Sequence, residues 1–109
     1  RGPGAMPGAT VLEMATLGGA RALGIDDLVG SIEPGKRADL ALVDLERAHA
    51  TPPGDDVCAA IVHSVQRSDV TDVWIDGRRV LRDRELATLD EERIVAEARA
   101  EARRLAATL

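Results

Sequence analysis

The chain has 109 residues, a formal net charge of -5 at pH 7 and one aromatic residue, Trp74. An acidic chain without stacking side chains is not a nucleic-acid-binding module, which needs a basic face and aromatic platforms. The single cysteine, Cys58, excludes an intrachain disulfide, and no segment is long and apolar enough to span a membrane. The length allows one domain at most, and we expect a cytoplasmic protein.

The first predicted element is a helix that ends at a glycine. Thr10-Val11-Leu12-Glu13 has the pattern of a capping box, which predicts a helix over 10–23 with Gly24 as the left-handed residue after it. Gly18 and Gly19 each destabilise a helix interior by about 1 kcal/mol relative to alanine. We therefore expect another backbone to approach the helix closely at these two positions, so that the helix packs on a larger body. The alternative is a frayed, weak helix.

A predicted strand–turn–strand unit follows a short connector at 25–29. Pro34 and Gly35 are typical of a tight turn, because proline presets φ and glycine takes a positive φ. The flanking segments, Gly30–Glu33 and Ala38–Leu45, have strand composition. The second is apolar enough to predict a strand covered on both faces.

The spacing from Gly30 to Lys36 also matches the G-x-x-x-x-G-K pattern of a phosphate-binding loop. Such a loop continues with Ser or Thr and then with a helix, whereas here Arg37 and a predicted strand follow. Pro34 also removes one of the backbone amides that would face a phosphate. The context therefore argues against nucleotide binding.

The second half of the chain predicts a hairpin between helical segments. Val70–Asp76 and Arg79–Arg82 have strand composition, and the Asp76-Gly77 pair is a strong hairpin-turn signal. Asp90 is predicted to cap a final helix that reaches Ala107. The remaining predictions are a long loop at 46–56, a short helix or buried extended segment at 57–62, an extension of the sheet at 86–88, and an apolar stripe of Ile94, Ala98, Ala102 and Leu105 on the final helix.

Residues that could carry chemistry form no recognisable site in the sequence. A zinc site needs three or four ligands at workable spacing, whereas the only histidines are His49 and His63. Cys58 and His63 could form a nucleophile–base dyad, but a lone cysteine without an orienting partner is more typical of a small buried side chain. His63 and Ser64 are adjacent and would face opposite sides of a strand.

The many aspartates have a similarly plain interpretation. Most flank predicted strands or turns, where aspartate commonly forms turns and caps. Asp72 and Asp76 share a predicted strand face with Trp74, so a paired-carboxylate site is an alternative that the pattern leaves open. From the residues alone, the chain is a small α+β module without a visible active site.

Three segments resemble the C-terminal end of the amidohydrolase superfamily. They are Met14–Gly24 (MATLGGARALG), Gly30–Leu40 (GSIEPGKRADL) and Val73–Val80 (VWIDGRRV). Their order and spacing fit, and the resemblance is greatest to the branch of cytosine deaminases, guanine deaminases and chlorotriazine hydrolases. One departure is Asp83-Arg84, where relatives often have Asp-Gly, so the second turn is expected to differ in shape.

The resemblance implies an α+β fold that is the C-terminal portion of a small β-sandwich domain, flanked by one helix of a (β/α)8 barrel. Residues 1–9 would be a linker or loop, and residues 10–24 the helix that follows the last barrel strand. Residues 25–89 would supply the C-terminal strands of the sandwich, and residues 90–109 a C-terminal helix.

The resemblance also implies a function for the parent protein, a metal-dependent hydrolase of non-peptide C–N bonds that deaminates or dehalogenates a ring compound. The parent would bind zinc or iron, with every ligand upstream of Arg1, and would form homo-oligomers. In this chain we expect no catalytic, cofactor-binding or metal-binding residue. Its partners would be the missing barrel and N-terminal strands. The alternative is a standalone, non-catalytic β-module whose open strand edges pair with a protein partner.

Overall fold

The computed structural model describes residues 6–47 and 55–109, which form helices and one antiparallel sheet. The mixed helical and antiparallel architecture predicted from the sequence is confirmed. The elements in chain order are α1 (Gly8–Glu13), a π-helical turn (Met14–Gly18), α2 (Gly19–Leu23), β1 (Leu40–Val43), α3 (Val57–His63), a 3-10 turn (Arg67–Asp69), β2 (Val70–Ile75), β3 (Arg78–Arg82), β4 (Glu85–Leu86) and α4 (Glu91–Ala106).

The first helix begins earlier than the capping pattern predicts. The Thr10 amide donates to the Pro7 carbonyl (3.0 Å), so Thr10 lies inside α1 and does not cap it. Pro7 is the N-cap residue instead, and its φ of -58° is compatible with the first turn of a helix. The helical end is confirmed: Gly24 has a φ of 71° and the Ile25 amide donates to the Ala20 carbonyl.

Close backbone approaches occur at other glycines than the predicted pair. Within the described residues, a Cβ built on Gly18 or Gly19 would meet only backbone atoms of the same helix, the nearest at 3.3 Å and 3.8 Å. A Cβ built on Gly30 would lie 2.8 Å from the Ala20 Cβ and 3.0 Å from the Leu17 Cα. Gly30 therefore sets how closely the segment after α2 packs on the helix.

The predicted strand at Gly30–Glu33 is wrong. These residues form a bend, because Gly30 takes a φ of 98° and the Lys36 ammonium donates to the Ser31 hydroxyl (2.8 Å). The following strand, β1, is confirmed but is shorter than its apolar run. The segment at 57–62, for which the sequence left two options, is helical, and Asp56 caps it by accepting from the Ala59 amide (3.0 Å).

The sheet has the strand order β1-β2-β3-β4, with every neighbouring pair antiparallel. β1 is therefore an edge strand that pairs with β2 on one side. Ala41 and Leu42 in its centre are exposed, Leu42 by 54%. The prediction that β1 is covered on both faces is thus wrong for the part of the chain that the structure describes.

Two tight turns join the last three strands, and both have a positive φ at each central residue. The values are 50° and 78° for Asp76-Gly77 and 44° and 68° for Asp83-Arg84. Such turns match the twist of the flanking strands. The hairpin at Asp76-Gly77 is confirmed. The second turn has the same signs of φ, with arginine at the position that glycine occupies in the first.

Arg84 tolerates its left-handed backbone because its side chain makes long-range contacts. The Arg84 Nε donates to the Ser68 carbonyl (3.0 Å), and its guanidinium lies 3.2 Å from the Asp44 carboxylate at the end of β1. The guanidinium thus reaches from the β3–β4 turn to the far edge of the sheet. These contacts offset the steric cost of a left-handed backbone conformation in a residue that has a Cβ.

The described residues contain almost no apolar core. Ala20 and Ala60 are the only hydrophobic side chains that are buried in this part of the chain. The final helix is capped by Asp90 as predicted, since its carboxylate accepts from the Arg93 amide (3.0 Å). Its apolar stripe nevertheless lies open to solvent, with Ile94 46% exposed.

A pair of glycine substitutions separates steric contact from backbone strain. Gly30 and Gly35 both have positive φ, at 98° and 91°, but nothing lies within 4 Å of a Cβ on Gly35. We expect Gly35→Ala to lower the free energy of unfolding by about 1 kcal/mol. Gly30→Ala should cost about 1–3 kcal/mol more, because Ala20 and Leu17 would have to move. Urea denaturation of both variants measures the difference, and equal losses would contradict the close packing at Gly30.

A second pair isolates the strain at Arg84. Arg84→Ala and Arg84→Gly lose the same guanidinium contacts, but only the alanine keeps a Cβ at positive φ. We expect both variants to be less stable than the wild type, with the glycine variant about 1 kcal/mol more stable than the alanine variant. Thermal denaturation followed by circular dichroism tests the order, which a more stable alanine variant would contradict.

Candidate functional site

The candidate nucleophile Cys58 and the candidate base His63 do not assemble into a site. Cys58 is half-buried near the start of α3, and His63 is the exposed last residue of that helix. Five positions along a helix correspond to about 140° of rotation, so these two side chains point away from each other. His49 lies outside the described residues. Among residues 6–47 and 55–109, no three His, Cys, Asp or Glu side chains are grouped so that they could hold a metal ion.

The lysine of the apparent phosphate-loop pattern is engaged locally. The Lys36 ammonium donates to the Ser31 hydroxyl and lies 3.1 Å from the Glu33 carboxylate, and its side chain is only 14% exposed. The hydrogen bond from Ser31, together with Lys36, holds the pKa of Glu33 below its ordinary value. Strand β1 follows instead of a helix, so this segment has neither the free cation nor the helix N-terminus that a phosphate needs.

The polar groups that do converge are two carboxylates, Asp39 and Asp72, each of which binds a backbone amide of a tight turn. The Asp39 carboxylate accepts from the Asp76 amide (2.6 Å), and the carbonyl of the preceding residue, Ala38, accepts from the Gly77 amide (3.0 Å). Residues Ala38 and Asp39 thus bind both backbone amides of the β2–β3 turn. We call this arrangement the first turn clamp.

A second turn clamp repeats the same pattern one strand further along the sheet. The Asp72 carboxylate accepts from the Asp83 amide (3.2 Å), and the Thr71 carbonyl accepts from the Arg84 amide (2.8 Å). In both clamps a residue and the aspartate after it hold the turn that joins the next two strands. The aspartates that the sequence suggests to be turn formers therefore act across the sheet as well as locally.

Asp72 is the most heavily bonded carboxylate in the described sheet. It is 5% exposed, accepts from the Thr71 hydroxyl (2.7 Å), and forms an ion pair with the guanidinium of Arg79. The Arg79 guanidinium also lies over the Trp74 ring, 5.1 Å from its centre. The Thr71 and Arg79 hydrogen bonds lower the pKa of Asp72 from 3.8 to about 2.

These contacts exclude a paired-carboxylate site at Asp72 and Asp76. Asp72 is saturated by Thr71, Arg79 and the second turn, whereas Asp76 lies in the first turn with its carboxylate 4.0 Å from Arg37. A general acid–base pair needs two carboxyl groups that share a substrate or a proton. The two aspartates instead serve two different turns.

The depressed pKa of Asp72 predicts how stability depends on pH. The folded state binds this proton only near pH 2, whereas the unfolded chain binds it near pH 3.8, so stability falls as the pH drops through about 4 to 2. We expect Asp72→Asn to be less stable at neutral pH and to lose part of this acid dependence. Urea midpoints across the acid range measure both effects.

The control for this prediction is Glu101→Gln on α4. Its pKa is also lowered, by a hydrogen bond from Arg104, but the pair is exposed and should contribute little to stability. The wild type should lose more unfolding free energy than Asp72→Asn between about pH 4 and pH 2. Equal losses in the two proteins would contradict the role of Asp72.

The described chain exposes more surface than a folded protein of its size. Its accessible surface is 8469 Å², whereas about 5,800 Å² is typical of a folded chain of this mass. Its radius of gyration is 18.1 Å, against about 13 Å for a compact domain of this length. No helix in the described part is both long and apolar enough for a membrane span. The exposed surface includes all of α4 and the centre of β1.

Comparison with known proteins identifies the family. The sequence profile of the Amidohydrolase family matches residues 2–80 of this chain. The chain belongs to the Amidohydrolase family.

This amidohydrolase chain is also similar to individual members. The 5-methylthioadenosine/S-adenosylhomocysteine deaminase of Syntrophomonas wolfei is 47% identical over 103 residues, which are 94% of this chain and 24% of that protein. A crystal structure of an adenosine deaminase from Xanthomonas campestris with bound zinc superposes with a TM-score of 0.86 at 46% identity, over 93% of this chain and 23% of that one. The zinc complex of an atrazine chlorohydrolase from Arthrobacter aurescens superposes with a TM-score of 0.78 at 27% identity, over 87% of this chain and 20% of that one.

This amidohydrolase chain thus spans about a quarter of the length of the curated relatives that it matches. The family resemblance carried by the MATLGGARALG, GSIEPGKRADL and VWIDGRRV segments is confirmed. The first turn clamp joins the last two of these segments, because Asp39 comes from one and Asp76 from the other. Sequence patterns do not reveal this contact, since the two residues are 37 positions apart.

Proposed function

We propose that this chain is the C-terminal part of a metal-dependent amidohydrolase that removes the amino group from an adenine-containing nucleoside. Eight relatives with 41–48% identity share the name 5-methylthioadenosine/S-adenosylhomocysteine deaminase, which carries the proposed substrate class. In such a reaction, water adds to the ring carbon that bears the amino group and ammonia leaves. A C–N bond is broken and a C–O bond is formed.

In this proposal the chain contributes structure and not chemistry. The similar structures with bound zinc support a divalent metal in the parent enzyme. The described residues do not fit such a metal, because they contain no group of three potential ligands. We therefore infer that the metal ligands and the catalytic groups lie in the remainder of the polypeptide, and we assign no step of the reaction to this chain.

The remainder of the polypeptide is also the partner that the exposed surfaces fit. We infer that β1–β4 form part of a small β-sandwich and that α1 and α2 follow the last strand of a barrel. The outer edge of β1 supports this inference, because Leu40–Val43 contains no proline or charged residue of the kind that protects a solvent-exposed edge. The excess surface of roughly 2,700 Å² has the size of a large, permanent interface.

The proposal predicts that the whole protein and this chain alone differ in metal content and in activity. The full-length product of the native gene should contain stoichiometric zinc or iron and release ammonia from 5′-methylthioadenosine, S-adenosylhomocysteine or adenosine. The isolated 109-residue chain should bind no stoichiometric metal and release no ammonia. Metal analysis by mass spectrometry and an enzyme-coupled ammonia assay measure both properties.

Each contrary outcome points to a different error. Metal or ammonia release in the isolated chain would contradict its structural role. Turnover of atrazine by the full-length protein, without turnover of any adenine nucleoside, would contradict the substrate class. A native gene product of 11.5 kDa that is folded on its own would favour a non-catalytic β-module that pairs through the edge of β1.

A further inference from the structure

The Asp76-Gly77 turn has the sequence at which the protein backbone most readily attacks an aspartate side chain. The attacking atom is the amide nitrogen of the residue after aspartate, and glycine, which has no Cβ, obstructs its approach least. The Asp76 side chain is 69% exposed, so water reaches its carboxyl group. The residue pair is therefore chemically competent for ring closure whenever its backbone is free to move.

In the folded protein, the first turn clamp restrains this backbone from both sides. The Gly77 amide, which contains the attacking nitrogen, donates to the Ala38 carbonyl (3.0 Å). The Asp76 amide donates to the Asp39 carboxylate (2.6 Å). The Asp76 nitrogen and the Gly77 nitrogen are thus both held, and the latter cannot move onto the Asp76 Cγ without breaking its hydrogen bond.

We propose that Asp76-Gly77 is a latent site of succinimide formation and aspartate isomerisation, and that Ala38 and Asp39 hold it in the unreactive form. The Gly77 nitrogen bonds to the Asp76 Cγ, the C–O bond of the protonated carboxyl group breaks, and the nitrogen loses its proton, so that one water leaves. Water then opens the five-membered ring at either carbonyl. One product is aspartate, and the other is isoaspartate of the same mass.

Isomerisation here would damage the sheet. Isoaspartate routes the main chain through the former side-chain carbon and adds one methylene to a two-residue turn. The register of β2 with β3 depends on the length of that turn. The altered residue also has no side-chain carboxylate at its former place, so its contact with Arg37 is lost.

The second turn provides an internal comparison. Asp83-Arg84 has the same signs of φ and is held by an equivalent clamp, but Arg84 carries a side chain on the residue whose nitrogen would attack. We therefore assign the latent site to Asp76-Gly77 and expect no isoaspartate at Asp83.

The experiment ages the full-length protein at physiological temperature and neutral pH and maps isoaspartate by peptide mass spectrometry. The compared samples are the native wild type, the wild type unfolded in urea, Asp39→Ala and Asp39→Asn. We expect slow conversion of Asp76 in the native wild type and rapid conversion in urea. Asp39→Ala should convert about tenfold faster than the native wild type, the factor that corresponds to losing a hydrogen bond to a charged group.

Asp39→Asn is the matched control, because its amide oxygen can still accept from the Asp76 amide, and it should convert at a rate near the native one. A further variant, Asp76→Asn, leaves the clamp residues unchanged and converts with loss of ammonia, which changes the mass of the intact protein. It should convert slowly when folded and rapidly in urea, and it tests the proposal even if Asp39→Ala does not fold.

Three results would contradict the proposal. Absence of isoaspartate at Asp76 in the unfolded wild type would show that the pair is not a reactive site. Equal conversion of native and unfolded protein would show that the clamp does not protect it. Equal conversion of native wild type and folded Asp39→Ala would show that Asp39 takes no part in that protection.

Discussion

Each tight turn of the sheet is held by a carboxylate from outside the two strands that the turn joins. Asp39 precedes β1 and binds the turn between β2 and β3, and Asp72 in β2 binds the turn between β3 and β4. Backbone amides in a tight turn point outward and would otherwise need water or a ligand. A carboxylate is the stronger acceptor for them, because hydrogen bonds to charged groups are shorter and stronger than neutral ones. The two contacts add to the strand ladders by joining each tight turn to a residue outside the strands that it connects.

The two clamps matter more here than they would in a protein with a large core. Only two small apolar side chains are buried among the described residues, so apolar packing within the chain holds little of the structure together. Polar contacts of long sequence separation take its place: Asp39 with the first turn, and Arg84 with Asp44 across the sheet. The apolar surfaces of β1 and α4 are consistent with packing against the rest of an amidohydrolase. This arrangement supports the proposal that other parts of the parent protein complete the fold of this segment.

Elements whose signals are local were predictable from the sequence. The Gly24 stop, the Asp76-Gly77 turn and the Asp90 cap each depend on a residue whose backbone preference or side-chain geometry acts over a few positions. Elements set by distant contacts were not. Helix α1 begins at Gly8, directly after Pro7, and not at the capping pattern of Thr10; its first residue, Gly8, packs against the backbone of Ala59 in α3. The segment at 30–33 bends because Gly30 packs on α2, although its composition favours a strand.

The candidate site likewise has features that the sequence predicts and features that depend on distant contacts. The sequence by itself determined the family, through three segments of specific composition, and it determined that turn-forming aspartates are abundant. Only the tertiary structure decided which aspartate binds which turn, because Asp39 and Asp76 are brought together by the pairing of β1 with β2. It also decided that Arg84 can occupy a left-handed position, since Ser68 and Asp44 are close to its guanidinium only in the folded sheet. Local preferences act between neighbours along the chain, whereas these contacts exist only after the strands have found their register.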